Sequence, residues 1–216
     1  MKTSRIPHAF LSAMLVLVCV GSAFADTVTV YGTGRNTSGV LLPGGAIDQN
    51  YILTADPLHP SESVSAYVVS ALAGSGSIAQ IDSLSPDVEG TGFYTYTTTF
   101  SLAGLDPSTA ILTGTWGFDD GSGGFFLNGN LVPGTIAGNC LCFTPQSLNI
   151  TSGFVAGTNT LSFVGLQADN FFDYVRVDDM TVTANPVTST PEPGTLWMLG
   201  TGVVGVAGAV RRKFRH

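Results

Sequence analysis

Side chains that could carry acid–base or nucleophilic chemistry are scarce in this sequence. Of the three histidines, His8 stands near the start, His216 is the last residue, and only His59 lies in the long middle part. A Ser-His-Asp site needs its histidine, but His59 sits in a proline-bracketed loop and has no motif context for that role. No G-x-S-x-G, H-E-x-x-H or phosphate-binding glycine loop occurs either. We therefore expect His59 to be a surface residue and the protein not to be an enzyme.

Paired carboxylates could still hydrolyse a glycoside, because the two partners meet in space rather than in sequence. Outside the C-terminal tail, Glu62 and Glu89 are the only glutamates. A secreted hydrolase is therefore the least favoured function.

The remaining thiol pair is Cys140-Leu141-Cys142, since Cys19 falls in the N-terminal leader described below. An exported setting favours oxidation, although a disulfide across one residue closes a strained ring. A zinc site lacks further ligands nearby. The order of preference is a local disulfide, then two free thiols, then a metal.

Asp119 and Asp120 open an acidic, glycine-rich turn, Asp119–Gly124, at the end of a predicted strand. Carboxylate and carbonyl oxygens of such a turn could bind Ca²⁺, but the spaced D-x-D-x-D-G pattern is absent. A solvated turn is the favoured interpretation, and we expect no cofactor other than this candidate Ca²⁺. Asp178 and Asp179 could contribute as well, but strand alternation places them on opposite faces.

Trp116 could form a sugar site with Asn128 and Asn130, as an aromatic platform beside polar groups. The alternative is that Trp116 belongs to the core, which its shared strand face with Leu112 and Phe118 favours.

Short β-prone runs separated by glycine, asparagine and proline must position these residues. Phe93–Leu102 alternates most clearly, and Asn128-Gly129 is a tight-turn signal. No stretch keeps a helical period. The pattern predicts an all-β fold, an antiparallel β-sandwich over residues 26–184, with Trp116, Phe100 and Leu161 buried. The predicted strands are Thr27–Tyr31, Asn50–Leu53, Val64–Ser70, Phe93–Leu102, Ile111–Phe118, Gly124–Leu127, Gln146–Ile150, Asn159–Leu166 and Phe172–Ala184.

Several segments of the second half occur in an order that is similar to the galactose-binding-like jelly roll. They are Phe100-Ser101-Leu102, Trp116–Gly121, Leu127-Asn128-Gly129, Phe154–Leu161 and Val175-Arg176-Val177. The resemblance covers roughly residues 93–184 and implies a jelly-roll fold. Residues 26–92 carry no such likeness.

The first 25 residues have the features of a secretory signal peptide. Lys2 and Arg5 form a basic start, Ala9–Val20 is apolar, and Ala23-Phe24-Ala25 is an A-x-A cleavage site. Signal peptidase is therefore expected to cut before Asp26.

The last 26 residues, 191–216, follow a short linker at 185–190 and join three features without a gap. Pro191-Glu192-Pro193 resists helix formation, Leu196–Val210 is apolar, and four cations close the chain: Arg211, Arg212, Lys213 and Arg215. This order predicts a transmembrane helix stopped by cytoplasmic cations. The apolar run has 15 residues, however, and at ~1.5 Å per residue it covers roughly 22 Å of a ~30 Å bilayer core.

This tail resembles the PEP-CTERM sorting signal of Gram-negative bacteria, also catalogued as an ice-binding-protein C-terminal-like domain. The likeness rests on Pro191–Thr195, Leu199-Gly200, the glycine-spaced apolar run and the arginine-rich end. It implies recognition at Pro-Glu-Pro by an exosortase, a membrane transpeptidase. It also implies an inner-membrane intermediate and a final place at the cell surface or in exopolysaccharide.

The part between the two signals is strongly acidic. Residues 26–190 contain 14 Asp and Glu but only Arg35 and Arg176, so the formal net charge is 2 − 14 = −12. This charge argues against nucleic acid or anionic lipid as a partner of that part. We therefore expect an exported, non-catalytic surface or matrix protein, with a carbohydrate-binding module in exopolysaccharide assembly as the alternative.

Overall fold

The computed structural model describes residues 25–57, 60, 63–69, 76–79, 90–138, 145–168, 174–187 and 193–213. These residues fall into two compact units, Met1–Pro186 and Val187–His216. In the described part of the first unit the chain forms eleven strands: β1 (Asp26–Thr29), β2 (Ile47–Ala55), β3 (Val64–Val68), β4 (Ile78–Ala79), β5 (Gly92–Ser101), β6 (Ile111–Phe118), β7 (Gly121–Leu127), β8 (Asn130–Leu131), β9 (Gln146–Ile150), β10 (Thr158–Gln167) and β11 (Val175–Ala184). The second unit contains the helix α1 (Pro193–Lys213).

All strand pairs are antiparallel, and they build two layers. One layer has the order β8-β7-β10-β5-β2-β3, and the other has the order β9-β6-β11, with β1 also paired to β11. The two-residue strand β4 links the layers, because it pairs with β3 through Tyr67 and Val68 and with β11 through Val175. The predicted all-β, antiparallel fold is confirmed, and it is consistent with a jelly-roll-like sandwich.

The alternation in β5 determines which face packs inward. Tyr94, Tyr96, Thr98 and Phe100 are buried, whereas Phe93 on the opposite face is 55% exposed. The neighbouring β10 alternates in the same way along its whole length. Two-residue periodicity therefore gives each strand one core face, as the sequence predicts.

Aromatic rings from both layers meet in the core. The ring centroids of Phe125 on β7 and Phe163 on β10 lie 4.5 Å apart, and Trp116 on β6 lies 4.8 Å from Phe125. Both contacts are edge-to-face, a favoured geometry for aromatic pairs. Trp116, Phe100 and Leu161 are all buried, as predicted.

The nine predicted strands are all present, with boundaries that differ by a few residues. The main correction concerns β7, which begins at Gly121 rather than at Gly124. Four of the six residues of the predicted acidic turn, 121–124, are therefore strand. The two-residue strands β4 and β8 do not appear among the nine predicted strands, and β4 falls between two of them, Val64–Ser70 and Phe93–Leu102.

Helix α1 begins at Pro193, a residue that suits the first helical position because its missing N–H has no partner there anyway. Its side chains from Gly200 to Arg212 are exposed. Among the described residues, no helix is both long and apolar enough to cross a membrane. The predicted membrane crossing is therefore not confirmed.

Candidate functional site

Several predicted site residues lie outside the described part of the chain. These are His59, Glu62 and Glu89 of the enzyme alternatives, the pair Cys140 and Cys142, Ala23 of the signal peptide, Pro191 and Glu192 of the sorting motif, and Arg215 at the end. Their roles stay predictions.

The predicted sugar platform is a core side chain. Trp116 is only 3% exposed, and its ring packs between Phe118 and Phe125. A ring enclosed in this way has no free face for a sugar. The alternative, that Trp116 belongs to the core, is the one that the structure supports.

Asn128 uses its side chain to hold the β7–β8 turn in place. Its Nδ2 donates to Gly153 O at 2.9 Å and to Asn159 Oδ1 at 2.8 Å, while its Oδ1 accepts from Thr160 N at 2.9 Å. Asn128 also adopts a positive φ of 52°, which asparagine tolerates better than most residues. The side chain of Asn128 is thus occupied by hydrogen bonds that hold the turn. Asn130 beside it is exposed.

Asn159 completes this amide network, and the sequence analysis assigned it no role of its own. It is fully buried, its Oδ1 accepts from Val155 N, and its Nδ2 donates to Val155 O and Gly157 O. Two asparagines therefore join the β7–β8 turn to the loop before β10. The Gly-Thr-Asn turn signal in the sequence was the clue to this position.

The acidic turn before β7 is tied into the sheet. Asp120 Oδ2 accepts a hydrogen bond from Ala168 N at 2.7 Å. A Cβ on Gly121 would lie 2.8 Å from Ala137 O, and one on Gly123 would lie 2.7 Å from Val164 Cγ1. These glycines permit close strand packing rather than loop flexibility.

No three His, Cys, Asp or Glu side chains come together as a metal site in the residues that the structure describes. Ca²⁺ binding by Asp119 and Asp120 stays a prediction. The hydrogen bond to Ala168 gives Asp120 a structural role in the absence of any ion.

Both arginines of the acidic domain meet at one carboxylate. Arg176 Nε pairs with Asp178 Oδ2, and Arg35 Nη2 lies 3.6 Å from Asp178 Oδ1. Asp178 occupies a bulge in β11, where the pairing with β6 shifts by one residue before Thr181. With Arg35 and Arg176 packed against it, Asp178 is only 8% exposed.

A second buried carboxylate, Asp48, organises the connection between β1 and β2. Its Oδ2 accepts from Gly34 N, and its Oδ1 accepts from Asn50 N at 2.7 Å and Tyr51 N at 2.8 Å. Burial raises the pKa of the Asp48 carboxyl, and the three backbone donors oppose that rise. Burial, together with the carboxylates of Asp48 and Asp178, also raises the pKa of Tyr51.

The described part of the tail presents cations at the end of a helix. Arg211 and Arg212 are exposed in the last turn of α1, where positive charge interacts favourably with the helix dipole. Valines such as Val203, Val204 and Val206 are more than 60% exposed along the same helix. The helix is therefore apolar along its length and cationic at its end.

Residues 189–213 match the family model of the PEP-CTERM protein-sorting motif. The match includes Pro191-Glu192-Pro193 and all of α1. It implies an exported protein that is sorted to the cell surface and processed by an exosortase. No curated protein and no solved structure matches the chain.

Proposed function

We propose that this protein is an exported, non-catalytic component of the cell surface or extracellular matrix of a Gram-negative bacterium, delivered there by exosortase processing of its tail. The observation that carries the proposal is the sorting-motif match at residues 189–213, in which Pro-Glu-Pro, an apolar helix and a cationic end follow one another. An apolar helix alone would be a much less specific signal.

The N-terminal end of the fold supports export. The first strand, β1, begins at Asp26, directly after the Ala23-Phe24-Ala25 cleavage site. Signal peptidase could therefore remove residues 1–25 without disturbing a strand. The mature domain would start at the first residue of its sheet.

The tail suits attachment to the anionic inner membrane. An amphipathic or apolar helix gains binding energy from buried side chains and from cations near anionic lipid. The exposed valines of α1 supply the first contribution, and Arg211 and Arg212 supply the second. Such attachment would hold Pro191-Glu192-Pro193 close to a membrane-embedded exosortase.

The experiment compares the wild-type chain with Glu192→Ala in a host that carries an exosortase gene and in the same host without it. Mass spectrometry of the surface-exposed form should show that the wild type has lost Phe214-Arg215-His216 only when the exosortase is present. Glu192→Ala should keep these residues in both hosts. Glu89→Ala, which replaces a glutamate outside the motif, is the matched control and should be cleaved normally.

A surface form that still ends in Phe214-Arg215-His216 in the presence of the exosortase would contradict the proposal. Normal cleavage of Glu192→Ala would contradict the assigned role of the Pro-Glu-Pro segment.

Carbohydrate binding in exopolysaccharide assembly is the second candidate function. The observation that favours it is an uncharged groove that residues of β1, β2 and β5 line. Neither Trp116 nor Asn128 belongs to this lining.

A further inference from the structure

A groove opens where β2 separates from β5. The two strands pair from Ile52 to Ala55, but the first half of β2 has left β5, and there Ile47 pairs with Tyr67 of β3. The chain that follows β1 borders the gap on its other side. The groove has a volume of about 290 Å³, and its lining residues are Thr29, Val30, Tyr31, Gln49, Asn50, Thr98 and Thr99.

The lining of the groove is polar but uncharged. It offers three threonines, two side-chain amides and one tyrosine, in a domain whose formal net charge is −12. Hydroxyl and amide groups beside an aromatic ring are suited to a ligand that forms many neutral hydrogen bonds. An anionic ligand would find no cation in the lining and would be repelled by the domain as a whole.

Thr98 carries the strongest indication that the groove receives a ligand. It is only 6% exposed, yet its hydroxyl makes no hydrogen bond with any residue that the structure describes. A buried hydroxyl without a partner costs free energy, and valine would fill the same space without that cost. Thr97, the next residue, bonds to both Thr54 and Ser162. Thr98 lies on the buried face of β5 and also lines the groove, and it is this buried hydroxyl that has no partner among the described residues.

The two amides leave complementary groups for a ligand. Gln49 accepts from Thr37 N through Oε1, so its Nε2 donor is available, and Asn50 donates through Nδ2 to Arg35 O and Asn36 O, so its Oδ1 acceptor is available. One donor and one acceptor beside the threonine hydroxyls match the hydroxyls of a sugar, each of which both donates and accepts.

We propose that this groove binds one neutral sugar unit of an oligosaccharide. Its volume is at the lower end of the ~300–1,000 Å³ that is typical of ligand sites, so the occupant is small. This inference rests on the second candidate function and gives it a location. It is independent of sorting, because tail cleavage can succeed whether or not the groove binds sugar.

The test uses the full-length chain in a polyoxyethylene detergent, which carries no sugar group. Titration calorimetry with maltohexaose, cellohexaose and laminarihexaose should detect binding to at least one of them, whereas oligogalacturonate, which is anionic, should not bind. Thr98→Val should weaken the observed binding about three- to tenfold, the net contribution of one hydrogen bond. The same variant should keep or raise the melting temperature, because it removes an unpartnered buried hydroxyl.

Thr135→Val is the matched control. Thr135 is equally buried at 4% exposed, but its hydroxyl accepts from Phe125 N and donates to Val132 O. Its replacement should lower the melting temperature and leave sugar binding unchanged. The absence of binding to all three neutral hexasaccharides would overturn the proposal, as would equal binding by Thr98→Val or stronger binding of oligogalacturonate.

Discussion

Asp48 illustrates how one side chain can replace several backbone contacts. Its carboxylate satisfies the N–H of Gly34 in the connection before β2 and the N–H groups of Asn50 and Tyr51 in β2 itself. Only a group with two acceptor oxygens can do this, because each buried donor left unpaired costs about 1–3 kcal/mol. Asp48 is therefore retained in the interior although burial disfavours its charge.

We expect Asp48→Asn to lower the free energy of unfolding by about 1–3 kcal/mol at pH 7, because the new amide N–H₂ would face the N–H of Gly34 or of Asn50 and Tyr51. The pKa of Asp48 is raised in the folded state, so this group favours folding more strongly when it is protonated. Its contribution is largest below its unfolded pKa of about 3.8 and is lost as pH rises through the folded value. The difference in the free energy of unfolding between the wild type and Asp48→Asn should therefore increase from pH 7 to pH 4.5.

Urea unfolding at several pH values measures this gap. Asp106→Asn is the control, because hydrogen bonds from Ser108 lower the pKa of Asp106 and its contribution changes only below about 3.8. The difference in the free energy of unfolding between the wild type and Asp106→Asn should stay constant over the same pH range. If the difference in the free energy of unfolding between the wild type and Asp48→Asn decreased on acidification, burial would not be the main influence on the pKa of Asp48.

Asn159→Ala should lower the free energy of unfolding by about 2–3 kcal/mol. The change removes the buried side chain that accepts from Val155 N and Asn128 Nδ2 and donates to Val155 O. Asn149→Ala, on the exposed face of β9, should change stability by less than about 0.5 kcal/mol. Equal thermal stability of the two variants would mean that the amide network contributes nothing.

At the scale of elements, the connection between β1 and β2 docks on β11 by close backbone approach. Thr33 N donates to Val177 O at 2.9 Å, and Val177 N donates back to Thr33 Oγ1 at 3.0 Å. Thr33 Oγ1 also donates to Gly76 O at 2.6 Å, which ties in the segment before β4. A single threonine thus joins three parts of the chain that lie far apart in sequence.

Gly32 is what permits this approach. A Cβ at position 32 would lie 2.3 Å from Val177 O, a backbone atom that cannot rotate away. We expect Gly32→Ala to lower the free energy of unfolding by about 3 kcal/mol, since the docked connection must shift as a whole. Gly138→Ala is the control, because a Cβ there meets nothing within 4 Å. A melting temperature for Gly32→Ala equal to that of the control would contradict this account.

The sequence predicted the long strands well because each has a complete period-2 pattern of its own. β5 and β6 needed no more than alternation and a turn signal. The two residues of β4 are too few for any pattern, and β7 begins in glycines whose role depends on neighbours such as Ala137 and Val164. Tertiary packing, rather than local propensity, defines these elements.

The polar centres were not predictable for a related reason. Arg35 and Asp178 meet across more than 140 positions of sequence, and the register shift in β11 that follows Asp178 has no local pattern either. Thr98 lies on the buried face of β5, and the groove that it lines opens where β2 and β5 are no longer paired. Pairwise contacts at this range leave no local signal.

At the scale of the whole molecule, charge is divided between an acidic domain and a basic tail. We expect the full chain to prefer vesicles with 30% phosphatidylserine over neutral vesicles, since each cation near an anionic surface contributes about 1 kcal/mol. Replacing Arg211, Arg212, Lys213 and Arg215 by glutamine should abolish that preference, because the remaining charge is strongly negative. Co-sedimentation measures both. Undiminished preference in the variant would show that the acidic domain itself binds anionic lipid.

The tail is the part whose role was most predictable from sequence. Its signal is linear, so Pro-Glu-Pro, the apolar run and the cations can be recognised without knowing any tertiary contact. The predicted membrane crossing is the part of this signal that is not confirmed. The ligand of the domain, by contrast, depends on which side chains the fold brings together.

The pairing of β1 with β11 has a mechanical consequence. Asp26 lies opposite Ala184, so the first strand of the mature domain is bonded to the strand that leads into the tail. β11 is held along its other edge by seven residue pairs with β6. A surface protein tethered through its C-terminal end would be pulled along the axis of β11, and the perpendicular hydrogen bonds of both neighbours would share the load in shear instead of opening one after another. The domain is therefore expected to resist force applied through its tail better than force applied at Asp26.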